Sequence, residues 1–228
     1  MSSLVQSSAA VEFLGDASSK NLSLTGVTSG NSILVGVAVA VFTGIEPVFT
    51  VSDGSSYAED VAVWFSTAAS QRVKVGIYRL HGAASGAHTI SVSFTGPSAA
   101  NVYGAVRAHE ISGLQNSNAD KTMSGTGNSN TPVTGASGAL SQADNFVFGC
   151  VMTEFAGIDT PTNFTNVYLD NSTSGVSPNS QDYRVISNAA SLTIGWGTLD
   201  VSGDWGCVGA VYKNAVGAQG LYNMLKGM

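Results

Sequence analysis

Two carboxylates are the residues of this chain that come closest to a catalytic pair. Glu110 ends an apolar stretch, where a carboxylate is either a general acid with a raised pKa or a structural acceptor for the backbone amides at 112–114. A glycosidase needs a second carboxylate across a cleft, and Glu154 is the best partner that the sequence offers. Because no spacing brings the two together, we favour the structural role and predict that the protein is not an enzyme.

The histidines offer a weaker indication of a metal site. His81 and His88 flank a short turn at 82–86, so their rings could face each other at the base of a hairpin. A protein metal site needs at least three side-chain ligands, and no third ligand is near them in the sequence. The glycine-rich phosphate loop and the nucleophile elbow are missing from the sequence as well. We therefore predict an exposed pair of turn histidines, with no bound metal and no cofactor.

The tryptophans could instead form a stacking platform for a sugar ring. Trp64 and Trp205 lie in apolar stretches, which favours burial in the core. Trp196 stands between Gly195 and Gly197, and these small neighbours favour an exposed indole. Trp196 is therefore the candidate contact for a glycan.

The elements that must position these side chains are short β-strands. Runs of β-branched and aromatic residues are separated by clusters of Gly, Ser, Asn and Asp about every ten to fifteen residues. Residues 33–42 and 145–152 are apolar on both faces, which indicates central strands, whereas 88–94 alternates between apolar and hydroxyl side chains. The pattern predicts an all-β fold, a two-sheet antiparallel β-sandwich of jelly-roll type, as a single domain over residues 1–214. A long loop region near 115–142, rich in Asn, Ser, Gly and Thr, could hold one or two edge strands.

The C-terminal tail, residues 215–228, departs from the strand pattern. It lacks β-branched alternation and is expected to be irregular or to form a short helix. The tail could fold back onto the sandwich, or it could be a docking segment that reaches a neighbouring subunit, because exposed apolar side chains favour association. The candidate subunit contacts are Leu221, Tyr222, Met224, Leu225 and Met228.

The composition argues against several classes of partner. Only 11% of the residues are charged, the net charge is −6, and the 9 basic residues are scattered singly, which argues against nucleic-acid binding. No apolar run approaches the length of a membrane span, so no membrane partner is expected. Cys150 and Cys207 lie in apolar stretches and are predicted to be buried free thiols, although a disulfide between neighbouring strands stays open.

Two segments resemble a known structural module. The first is an apolar strand at 32–39, followed by the turn Phe49-Thr-Val-Ser-Asp-Gly-Ser-Ser-Tyr57. The second is the strand Gly86-Ala-His-Thr-Ile-Ser-Val-Ser-Phe94, followed by Ala108-His-Glu-Ile-Ser-Gly-Leu114. This order is similar to a jelly-roll module of tailed-phage virion structural proteins, of the decoration or fibre type, which is also found in bacterial surface proteins. The resemblance implies a β-sandwich used for display or adhesion, and it carries over no catalytic residue.

The sequence as a whole favours a component of an extracellular particle. Its polarity comes from Ser, Thr, Asn and Gly, and its first residues show no export leader, so we expect a virion protein made in the host cytoplasm and released by lysis. The expected role is a non-enzymatic virion structural protein of a tailed phage that decorates or cements the capsid exterior. Its expected partners are the major capsid protein or other virion proteins, together with further copies of the chain. The alternative is a carbohydrate-binding or receptor-binding module of a tail fibre or bacterial surface, with a host surface glycan as its ligand.

Overall fold

The computed structural model describes residues 1–42, 45–67, 71–154, 157–170, 179–199 and 201–215. These residues contain fourteen β-strands and a single turn of 3₁₀ helix at Ala99–Asn101. None of the helical residues within these ranges forms a helix long and apolar enough to cross a bilayer. The strands are β1 (Ser3–Ser7), β2 (Val11–Leu14), β3 (Ser19–Val27), β4 (Ser32–Val41), β5 (Val48–Ser52), β6 (Ala58–Ser66), β7 (Arg72–Leu80), β8 (Gly86–Thr95), β9 (Val102–Ser112), β10 (Lys121–Ser129), β11 (Asn145–Thr153), β12 (Thr165–Asp170), β13 (Asn179–Ile186) and β14 (Gly203–Lys213).

The strands form three antiparallel sheets. The central sheet has six strands, in the order β1-β9-β4-β7-β6, with β2 also paired to β9. The five-stranded sheet has the order β10-β14-β11-β13-β12, and the three-stranded sheet has the order β3-β8-β5. The predicted all-β sandwich is confirmed, and the structure adds a third sheet to the two that the sequence predicted. Alternation along a strand shows which of its faces are buried, but not which sheet covers them.

The central sheet is covered on both of its faces. Every residue of β4, Ser32–Val41, is buried. Ile33 and Val37 pack in the core that the central sheet shares with the three-stranded sheet. Leu34 and Ala38, which point the other way, pack in the core shared with the five-stranded sheet. The continuous apolar run of β4 therefore reflects its position in the middle layer.

A third core lies on the outer face of the five-stranded sheet. The segment 130–140 crosses this face and is tied to the segment 192–199 by backbone hydrogen bonds, including Thr134 N–H to the Ile194 carbonyl at 2.9 Å. The outer core holds apolar side chains of both segments and of the sheet below them, among them Ile194 and Val147. The region near 115–142 thus contains β10 at the edge of a sheet and a covering segment whose backbone groups are paired.

The two cysteines are free thiols on neighbouring strands. Cys150 lies opposite Val208 in the β11–β14 register, so Cys207, one residue earlier, points to the other face of the sheet. Cys150 packs towards the central sheet, whereas Cys207 packs in the outer core. Burial raises the pKa of both thiols, to about 12 for Cys207. A disulfide between them is excluded in this structure because their side chains lie on opposite faces.

Candidate functional site

Glu110 is a structural hydrogen-bond acceptor. It lies on β9 opposite Ile33 and is fully buried. Thr28 donates its backbone N–H to the carboxylate at 2.9 Å, and the side-chain amides of Asn31 and Gln6 each donate at 2.6 Å. Burial by itself would raise the pKa of Glu110, but these donors hold it below its usual value, so the carboxylate is ionised. This is the structural role that the sequence favoured. The donors, however, lie in the turn before β4 and in β1, and not at 112–114 as expected.

Glu154 does not face Glu110. It follows β11 in the five-stranded sheet, and its backbone N–H donates to the Asp204 carbonyl at 2.9 Å. Glu110 lies on the opposite side of the central sheet, because its neighbours Ile33 and Ala108 pack in the core shared with the three-stranded sheet. The central sheet therefore stands between the two carboxylates, and they do not form the pair that a glycosidase requires.

His88 pairs with Asp53 and not with His81. Its Nδ1 is hydrogen-bonded to Asp53 Oδ2, and its Nε2 donates to the Ala84 carbonyl at 3.0 Å. Both partners are acceptors, so the geometry favours the imidazolium form, in which both ring nitrogens carry protons. Burial by itself would lower the pKa of His88, but these two partners raise it above its usual value. The Tyr57 hydroxyl also donates to the Asp53 carboxylate, at 3.2 Å, which fixes the turn before β6 against the start of β8.

The other two histidines are neutral. His81 Nε2 donates to the Ser117 carbonyl at 2.6 Å. His109 is fully buried, with Nε2 2.9 Å from Gln181 Oε1 and Nδ1 2.8 Å from Ser7 Oγ. Burial lowers the pKa of both rings, to about 4 for His109. The predicted exposed pair of turn histidines is wrong, since His81 and His88 are each partly buried and cross-link different segments.

Trp196 is buried, so its expected exposure is wrong. Its exposed fraction is 0%, and its Nε1 donates to Asp182 Oδ2 at 2.8 Å. The indole packs over Gly149, where an added Cβ would lie 3.0 Å from Cζ2 of the ring. The glycines beside Trp196 suggested exposure, but backbone pairing of its segment with 130–140 turns the indole onto the five-stranded sheet. No sugar can stack on this ring in the structure.

The polar start of β13 is buried as well, which the sequence did not indicate. Residues 179–182 read Asn-Ser-Gln-Asp, and each has an exposed fraction of 0%. Gln181 faces His109 in the core between the sheets, whereas Asp182 faces Trp196 in the outer core. Burial raises the pKa of Asp182, although the hydrogen bonds from Ser180, Asn166 and Trp196 act in the opposite direction. The hydrogen bonds of Gln181 with His109 and of Asp182 with Ser180 and Trp196 offset the cost of burying these two side chains.

A polar groove lies where β6 and β7 meet the loop before β10. The Arg79 side chain, 8% exposed, forms an ion pair with Asp60, 6% exposed, in which Nη1 and Oδ1 are 3.0 Å apart. Its guanidinium also donates to the Ser117 carbonyl at 3.2 Å and to Asn118 Oδ1 at 3.1 Å. The Tyr212 hydroxyl donates to Asp60 Oδ2 at 2.7 Å. Arg79 therefore joins the central sheet to the loop, and Tyr212 joins the same ion pair to β14.

Two adjoining cavities form this groove, with volumes of about 280 Å³ and about 320 Å³. Burial raises the pKa of Asp60, although Tyr212 and Arg79 act in the opposite direction. We name the two cavities together the Arg79 groove. They share Ala58, Arg79 and Asn118, and their other lining residues are Ser56, Glu59, Asp60, Leu80, His81, Asn116, Ser117, Ala119 and Thr122.

At the rim of the groove, Glu59 is held by a second ion pair. Lys74 Nζ and the Tyr78 hydroxyl both donate to Glu59 Oε2, each at 2.7 Å. The ammonium lies 5.4 Å from the ring centre of Trp64 and 5.6 Å from that of Tyr78, as in a cation–π contact. The sequence did carry a signal for this unpredicted site: acidic residues in one strand and cations in the next indicate paired charges across a hairpin.

The remaining candidates from the sequence lie elsewhere. Leu221, Tyr222, Met224, Leu225 and Met228 are outside the described residues, as is all of the tail after Ala215. Across the described ranges, no group of three or more His, Cys, Asp or Glu side chains is arranged to hold a metal ion. No family model, no curated protein and no solved structure matches this chain at a significant level.

Proposed function

We propose that this chain is a non-enzymatic virion structural protein of a tailed phage that decorates or cements the capsid exterior. The observation that carries the proposal is the outward face of the three-stranded sheet, here named the hydroxyl face. Its side chains alternate with buried apolar ones along each strand, and none of them is charged. The hydroxyl face comprises Ser19, Asn21, Ser23, Val48, Thr50, Ser52, Thr89, Ser91, Ser93 and Thr95.

A neutral hydroxyl face is suited to being covered by another protein. Burying a hydroxyl that finds a partner costs far less free energy than burying a charge, and the cores of protein interfaces are depleted of charged residues. The other side of the same sheet packs Leu22, Ile90 and Val92 into the core, so the face is held on a firm base. In a symmetric shell, a modest contact energy per copy is multiplied over many copies.

The interior chemistry supports a structural role as well. The carboxylates of Glu110, Asp53 and Asp182 each accept hydrogen bonds that join segments far apart in the sequence. The proposed partners are the major capsid protein or other virion proteins, with further copies of the chain on the particle. The proposed location is the virion, and the tail at 215–228 is proposed as a second contact with neighbouring subunits.

The test places a charge on the hydroxyl face. Thr50 lies in an edge strand on this face, and Thr126 is another exposed threonine, in the edge strand β10 of the five-stranded sheet. Thr50→Glu should lower the occupancy of the protein on purified particles at least about fivefold, because the new charge must be desolvated on contact. Thr126→Glu is the matched control and should leave occupancy unchanged. Occupancy is measured by quantitative mass spectrometry of particles assembled with each variant, and melting temperatures verify folding.

Truncation tests the second contact separately. Removing 215–228 should leave the domain folded and lower its occupancy on particles.

Equal occupancy for wild type and Thr50→Glu would remove the hydroxyl face from the proposal. Absence of the wild-type chain from purified particles would refute the proposed function itself.

A further inference from the structure

We propose that the Arg79 groove is a binding site for a neutral carbohydrate. This inference goes beyond a structural role on the particle and does not depend on it. Each of the two cavities, about 280 Å³ and about 320 Å³, is close to the lower end of the usual range for small-molecule sites, about 300–1,000 Å³. Because they adjoin through Arg79 and Asn118, an extended ligand can occupy both.

The groove presents both donors and acceptors to a ligand. The Arg79 guanidinium donates two N–H groups, to Ser117 and Asn118, and is ion-paired with Asp60, so it keeps further N–H groups that no acceptor among the described residues takes as a hydrogen bond. Asn118 uses its oxygen for Arg79, so its exposed side-chain N–H₂ group is a further donor. The exposed side chains of Ser56, Asn116 and Thr122, which line the two cavities, carry acceptor oxygens. Sugar hydroxyls donate and accept at once, so they match such a mixed surface.

Charge balance selects a neutral ligand. The Arg79 cation is paired with Asp60, and the Lys74 cation is paired with Glu59. An anionic ligand drawn to Arg79 would have to displace or approach the Asp60 carboxylate, and a cation would meet the guanidinium at close range. A neutral polyhydroxyl ligand avoids both penalties and can take the free N–H groups of Arg79.

The site is held in place before any ligand arrives. His81 and Arg79 both donate to the Ser117 carbonyl, at 2.6 Å and 3.2 Å. At the two ends of the loop, Gln115 N–H donates to the Lys213 carbonyl at 2.8 Å, and Asp120 N–H donates to the Val211 carbonyl at 2.7 Å. Binding therefore does not have to order the loop, which favours affinity.

The experiment uses the full-length chain on a printed array of neutral and acidic oligosaccharides. The neutral set carries glucose, galactose, mannose and rhamnose units, and the acidic set carries uronic and sialic acids. We expect binding to neutral members, and amide shifts at Ala58, His81 and Asn118 when the best neutral oligosaccharide is titrated in an NMR experiment.

Two variants of Asn118 separate direct contact from loop structure. Asn118→Ala should weaken binding at least about fivefold. Asn118→Asp keeps the oxygen that Arg79 requires but removes the N–H₂ donor, so it should weaken binding as well, whereas a purely structural role predicts that it binds normally. Asn21→Ala, an exposed asparagine on the hydroxyl face, is the matched control and should bind like the wild type.

Three results would overturn the proposal. They are the absence of binding to every neutral member of the array, a preference for acidic members, and equal binding by wild type and both Asn118 variants. None of these results bears on particle occupancy, so failure of the carbohydrate site and failure of the structural role are distinguishable.

Discussion

Replacing Trp196 by phenylalanine tests whether its indole is a buried strut, and Trp205 provides a matched control. Both indoles lie in the outer core of the five-stranded sheet, with exposed fractions of 0% and 5%. Trp196 donates to the Asp182 carboxylate at 2.8 Å, whereas Trp205 donates to the Ser129 hydroxyl at 3.0 Å. The two substitutions remove the same atoms. The difference between their losses in the free energy of unfolding therefore depends on the acceptor that each substitution leaves unpaired.

The expected difference follows from the negative charge that Asp182 carries at a pH above its raised pKa, whereas the Ser129 hydroxyl is neutral. A hydrogen bond to a charged group contributes about 1.5–3 kcal/mol, and one between neutral groups contributes about 0.5–1.5 kcal/mol. Trp196→Phe should therefore lower the free energy of unfolding by about 1–1.5 kcal/mol more than Trp205→Phe does. In a domain of this size that corresponds to a melting temperature lower by about 2–6 °C.

The pH dependence gives a second, independent check. The pKa of Asp182 is raised in the folded state, so the folded protein binds this proton more tightly than the unfolded chain does. The stabilisation from this group is present at low pH and is lost as the pH rises through the folded pKa. Protonation also makes Asp182 a neutral acceptor, so the gap between Trp196→Phe and Trp205→Phe should narrow as the pH falls.

Denaturant unfolding of the wild type and both variants, followed by circular dichroism at pH 7 and at about pH 4, supplies the comparison. Equal losses for the two variants at pH 7, or a gap that widens in acid, would refute the reasoning. An unchanged melting temperature for Trp196→Phe would indicate that the indole is exposed, and Trp196 would again be a candidate glycan contact.

Two further predictions concern the remaining ionisable groups. Both partners of the His88–Asp53 pair should be charged at pH values between the lowered pKa of Asp53 and the raised pKa of His88. The usual pKa values of these groups are 3.8 and 6.5. His88→Gln should therefore lower the free energy of unfolding by about 1 kcal/mol near pH 6, and by less as the pH rises through the pKa of His88. Denaturant unfolding from pH 5 to 9 measures this loss. A loss that grows with pH would contradict the prediction. Cys150 and Cys207 should resist a thiol reagent in the native protein, since burial raises the pKa of both, and both should react after denaturation without prior reduction. Rapid labelling of either thiol in the native state, or a requirement for reductant, would argue against the described packing.

Local pattern alone was sufficient to predict the class of fold. Residues 33–42 and 145–152 are apolar on both faces of their predicted strands, which indicated central positions. The structure places β4 and β11 in the middle of their sheets, and every residue of both strands is buried. Alternation in 88–94 likewise separates the buried Ile90 and Val92 from the hydroxyls between them. Such patterns are reliable because they record, residue by residue, which side of a strand is removed from water.

Partners distant in the sequence were beyond the reach of that pattern. The acceptor role of Glu110 was anticipated, but its donor Thr28 is 82 residues away, and the Asp53 partner of His88 is 35 residues away. The burial of the polar start of β13 was not predicted, because the sequence does not show which donors surround Asp182 and make its burial tolerable.

The chain by itself therefore determined that it folds into antiparallel sheets, which strands are central, and that its cysteines are buried. Tertiary structure alone decided that the strands of the described residues form three sheets, that Trp196 faces inward, and that Arg79 and Asp60 meet beside Asn118 in a groove. The physical reason is the range of the interactions. The burial pattern of a strand can be read from its own consecutive residues. A hydrogen bond or an ion pair, in contrast, depends on which distant strand or loop the register brings within about 3 Å.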